Sequence, residues 1–105
     1  MDNQYIGYAW EQLFGAVSSL ATSPLPLRER LLDAVGSRAH RIFPSISTDK
    51  LPAEINKKLS SLEQALTKHG TFQESIEQMD DLEVERAIDE IVSLFSMVAR
   101  AYPEN

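Results

Sequence analysis

A chain of 105 residues with no cysteine has room for one domain with its own core, and it excludes a disulfide framework, a thiolate nucleophile and a thiolate metal site. Its formal net charge of −6 disfavours nucleic acid as a partner, because that binding depends on lysine and arginine neutralising phosphates. Met1-Asp2-Asn3-Gln4 has no basic n-region, and the uncharged run from Gln12 to Leu27 is interrupted by Ser18, Ser19, Ser23, Pro24 and Pro26; neither a signal peptide nor a membrane contact is expected, and the lack of cysteine fits a reducing cytoplasm.

The charge is segregated. Residues 1–27 hold two acids and no base, 28–69 hold eight bases and five acids, and 70–105 hold two bases and nine acids. One stretch is mildly basic and the C-terminal stretch strongly acidic.

The first predicted helix runs from about Gln4 to Ala21, with Ile6, Trp10, Leu13, Val17 and Leu20 at alternating spacings of four and three. The arc away from this stripe carries Gly7, Tyr8, Glu11, Gln12, Gly15, Ser18 and Ser19, with Glu11 its only charge. Each interior glycine costs about 1 kcal/mol relative to alanine, a cost that close approach by another helix offsets. This face is therefore the candidate for pairing with a partner or a second copy, through Gly7, Tyr8, Glu11, Gly15, Ser18 and Ser19.

Ser23-Pro24-Leu25-Pro26 ends that helix, since neither proline donates a backbone hydrogen bond. The second helix, about Pro26 to Ile42, is expected to bury Leu27, Leu31, Leu32, Val35, Ala39 and Ile42 before Phe43-Pro44 stops it. Pro44 to Lys50 reads as the longest irregular piece. The third helix, about Pro52 to His69, places Pro52 at its first position and has a narrow seam of Ile55, Leu59, Leu62 and Leu66.

Gly70 suits the left-handed residue that closes a helix, and Thr71-Phe72-Gln73-Glu74 has the pattern of a capping box for a short helix through Gln78, with Ile76 and Met79 pointing inward. Asp80-Asp81-Leu82-Glu83 supplies a second cap. The last helix, Asp81 to Tyr102, has the most sustained periodicity: Val84, Ile88, Ile91, Phe95, Val98 and Tyr102, widened by Ala87, Leu94 and Ala101, with Met97 on the polar arc. The fold expected is all-α, an antiparallel bundle of four long helices plus one short helix in a single domain.

Side-chain chemistry is thin. His40 and His69 are the only imidazoles, and neither has an acid three or four residues before it, so metal-ligand patterns are absent. His69 reads as a residue capping the last carbonyls of its helix, and His40 as surface. No Gly-x-Ser-x-Gly occurs, and four scattered glycines cannot build a phosphate cradle. Glu85 and Asp89 share a helix face with Arg86 beside them, which reads as a solvated acidic face.

One constellation stands out on the second helix, where Arg30, Ser37, Arg38 and Arg41 fall within about 80° around Ala34. Arg38 lies in the apolar arc, where an unpaired guanidinium carries a desolvation cost of several kcal/mol. Either an internal carboxylate meets it or the arginines form a dock for an anion or phosphate. The functional expectation is a non-catalytic protein-binding or regulatory module without a cofactor, self-associating through the first helix. An anion-binding protein using the arginines is the alternative.

Overall fold

The helical periodicity of the sequence is realised in five consecutive helices. The computed structural model describes residues 4–36 and 51–101, where α1 (Gln4–Thr22), α2 (Leu27–Gly36), α3 (Ala53–Leu66), α4 (Phe72–Glu77) and α5 (Asp81–Ala101) follow one another. No strand occurs among the described residues, so the fold class is all-α. The helices have 19, 10, 14, 6 and 21 residues, an uneven set and not four long ones. The expected continuation of α2 to Ile42, with Ala39, His40 and Ile42, lies outside the described residues, as do Pro44 to Lys50 and Tyr102.

Cross-links show which ends meet. Arg28, in the first turn of α2, donates to the carbonyls of Ile76 and Met79 at the α4–α5 junction, and Arg30 donates to Leu20 O in the last turn of α1. At the opposite end Pro52 and Ile55 of α3 share a cleft with Met97 and Arg100 of α5. Both α1 and α3 therefore run against α5, which also touches α2, while α4 lies against α2 and α3.

The buried line of α5 is Val84, Ala87, Ile91, Leu94 and Val98, with Ile88 and Phe95 half-buried on one flank. The expected stripe is thus rotated toward Ala87 and Leu94. Met97, expected on the polar arc, is half-buried because α3 packs beside it, and Ala101 is exposed. Contact from three helices widens the arc that α5 must keep apolar.

In α1 the buried line is Ala9, Leu13, Ala16 and Leu20, whereas Trp10 and Val17 are only half-buried. The small alanines let neighbouring backbones come close, so the helix turns them inward and leaves the tryptophan at the edge. In α2, Leu31, Ala34 and Val35 are buried and Leu32 is half-buried, but Leu27 is exposed, because the first residue of the helix stands at the rim beside Asp81 and Glu85. The α3 seam is buried as expected. Pro52 is the N-cap and not the first helical residue, and the helix stops at Leu66, short of His69.

Local signals set the ends of α4 and α5. Gly70 has φ 118°, and an added Cβ would collide with the Glu74 carboxylate. Both bonds of the capping box are formed: Glu74 N donates to Thr71 Oγ1 (3.1 Å) and Thr71 N to Glu74 Oε1 (2.9 Å). The same reciprocal pair recurs at α5, where Glu83 N donates to Asp80 Oδ1 (2.8 Å) and Asp80 N to Glu83 Oε1 (2.9 Å). Ile76 is fully buried and Met79 half-buried, so α4 is fixed from both the chain and the core.

Candidate functional site

The outer face of α1 is unusual for a helix at a protein surface, since its 19 residues include a single charge, Glu11. Tyr8 is 43% exposed and Phe14 50% exposed, and Glu11 is exposed between them in sequence. Gly7, Gly15, Ser18 and Ser19 are half-buried. Their backbones stay within the helix: Ser18 O accepts from Thr22 Oγ1 (2.9 Å) and Ser19 O from Ser23 N (3.0 Å).

Phe14 is the centre of this face and was not among the residues singled out by periodicity. It lies seven residues after Gly7 and four before Ser18, hence on the same side of the helix. Its ring stacks on Trp10, with centroids 5.1 Å apart and planes within 5°, the offset arrangement that aromatic quadrupoles favour. Both rings tilt against Phe95 of α5, at 5.9 Å for Trp10 and 6.2 Å for Phe14. Val92 of α5, 45% exposed, adds a further apolar group to the outside of the bundle. The signal available in the sequence was the i, i+4 spacing of Trp10 and Phe14, the distance at which helical side chains meet.

The arginine constellation divides differently. Ser37, Arg38 and Arg41 lie outside the described residues. Arg30 is half-buried and directs its guanidinium to backbone, Nε to Leu25 O and Nη1 to Leu20 O at 3.4 Å, so it secures the end of α1. Ala34, the centre of the expected cluster, is fully buried.

Arg28, which attracted no attention as sequence, makes the stronger set of contacts. Its Nη1 donates to Ile76 O and Met79 O at 2.6 Å each, and its Nη2 to Asp81 Oδ1 at 3.2 Å. The Asp81 carboxylate is 98% exposed, so that ion pair contributes at most about 1 kcal/mol. Hydrogen bonds from a charged donor to part-buried carbonyls are each worth about 1.5–3 kcal/mol and dominate.

The remaining candidates are quickly placed. His69 is exposed, and its backbone N–H donates to Ser75 Oγ (2.9 Å). Glu85 and Asp89 are exposed, and among the described residues no group of three or more histidines or acids could hold a metal ion. No described helix is long and apolar enough to cross a membrane. Compared with known proteins, the chain matches no family model, no curated protein and no solved structure.

Proposed function

We propose that the protein is a small protein-binding or regulatory module that self-associates as a two-fold dimer through the outer face of α1. In this reading the helices form an antiparallel bundle that holds the face rigid, and the work of the molecule in the cytoplasm is binding and not catalysis. The observation that carries it is the half-exposed Phe14, stacked on Trp10 in a surface whose only charge is Glu11. Isolated exposed apolar side chains are ordinary, whereas a contiguous aromatic patch marks an interaction surface. A two-fold axis lets one such patch meet itself, and Gly7 and Ser18 beside Phe14 leave room for an incoming ring.

Size sets the strength. A 19-residue helix is about 28 Å long and 10–12 Å wide. Its face therefore offers on the order of 300 Å², against about 800 Å² per partner in a stable interface. The flank of α5 with Val92 and Phe95 must join, and the expected association is micromolar. Sedimentation equilibrium tests this: a dimer that forms over tens to hundreds of micromolar and is lost in Gly15→Arg with Ser18→Arg, and in Phe14→Ser, supports it. A wild-type monomer throughout that range removes it, as does a dimer that survives all three substitutions.

A further inference from the structure

Away from the aromatic face, α3 closes on α4 and α5 over a groove of about 330 Å³, at the lower end of the roughly 300–1,000 Å³ range of small-molecule clefts. Its walls are apolar where the helices face one another, with Leu62 and Ala65 on one side and Met79 and Ala87 on the other. Its rim is basic. Lys68 and His69 come from the turn after α3 and Arg86 from α5, all three exposed.

Two carboxylates also line the groove, and both are already engaged. Glu83 accepts from Asp80 N in the cap of α5, and Glu90 pairs with Lys58 Nζ at 2.8 Å. Among the described residues neither Lys68 nor Arg86 has an ion-pair or hydrogen-bond partner. The positive charge of the rim is thus uncompensated locally, although the protein as a whole is at −6. Ser75 adds a buried donor. It is 1% exposed and lines the groove; its oxygen accepts from His69 N, and its proton has no acceptor among the described residues.

The geometry points to a binding site for a small organic anion, a carboxylate or sulfonate carried on a ring or short alkyl body. The apolar body lies against Leu62, Ala65 and Met79. The charged group meets Lys68 and Arg86, whose guanidinium fork fits a carboxylate through two parallel bonds, and can accept from the Ser75 hydroxyl. A bare inorganic anion would leave the apolar walls wet, and an uncharged ligand would leave the rim unmatched.

The test is an NMR titration of the isotope-labelled full chain with 1-naphthoate and, in parallel, with its uncharged counterpart 1-naphthalenemethanol. Saturable shifts at the amides of Ala65, Lys68, Ser75 and Arg86, with naphthoate binding more tightly than the alcohol, are expected. Lys68→Gln with Arg86→Gln, both at exposed positions, should weaken naphthoate by about tenfold, the loss of one charge-assisted contact, and leave the alcohol unchanged. Ala65→Phe, also at an exposed position, fills the groove and should remove both, which keeps the question answerable if the double variant misfolds. Shifts confined to the surroundings of Trp10 and Phe14, equal affinity for the two compounds, or no saturable shift in the groove would overturn the assignment.

Discussion

The two long helices, α1 and α5, solve the same packing problem and differ in what they turn outward. Each buries a line of apolar residues that includes alanine, Ala9 and Ala16 in α1 and Ala87 in α5. Outside, α5 has seven charges among 21 residues and α1 one among 19. The α5 surface is that of a helix meant for water, with Arg100 Nη1 donating to Ser96 Oγ and Glu90 paired to Lys58. The α1 surface shows Tyr8 and Phe14 instead. Since burial demands are alike, the contrast belongs to what each helix is left to meet outside the core.

The sharpest way to break that comparison is to cut both cores equally. Ile91 and Leu13 are 0% and 1% exposed, so Ile91→Ala and Leu13→Ala should each destabilise by about 2–5 kcal/mol in urea denaturation. Met97→Ala, at a half-buried site, should cost less than either. If Leu13→Ala costs no more than Met97→Ala, α1 is a peripheral strap and the symmetry of the two helices is lost.

Next in size is the Arg28 cross-link. Arg28→Met strands the carbonyls of Ile76 and Met79 and should cost about 1–3 kcal/mol. Asp81→Asn should leave stability almost unchanged, since the carboxylate is solvated. Equal losses in the two variants would show the ion pair, and not the backbone capping, to be what matters.

The smallest effect expected is at the capping box, where Thr71→Val should cost about 1 kcal/mol. The Thr71 backbone N–H, and secondarily its hydroxyl, hold the Glu74 carboxyl below its ordinary value of 4.5. A carboxyl whose folded value is depressed contributes stability that is fully present above its unfolded value and is lost as the pH falls through the folded one. The contribution therefore drains as the pH falls below about 4.5. A carboxyl titration of Thr71→Val by NMR should move Glu74 upward and flatten this part of the acid dependence; an unmoved titration would assign the shift to the backbone donor alone.

Much of the fold was legible wherever cause and effect lie within one helical turn. The α3 seam, the Gly70 conformation and both caps follow from residues three or four apart, and they stand as the spacing implies. The facing of α1 and α5 was legible only to within part of a turn, because periodicity weights large side chains while close-packed helices prefer Ala9, Ala16 and Ala87 at the contact. Leu27 was misplaced for a related reason, as helical phase says nothing of where the core ends. The candidate site was the least legible part. A ring stack that includes Phe95 and guanidinium bonds spanning 48 and 51 residues depend on elements remote in sequence.

Those long spans bear on the order in which the molecule assembles. With six residues, α4 is far below the length at which a helix holds in water alone. Its entry can form as soon as Thr71 and Glu74 find one another, a search over three residues. Its exit waits for residue 28 to return, and closing so long a loop has an entropic cost that local structure cannot offset. The start of α4 is an early event and its end a late one, so that closure of the Arg28 clasp reports that α2 has docked.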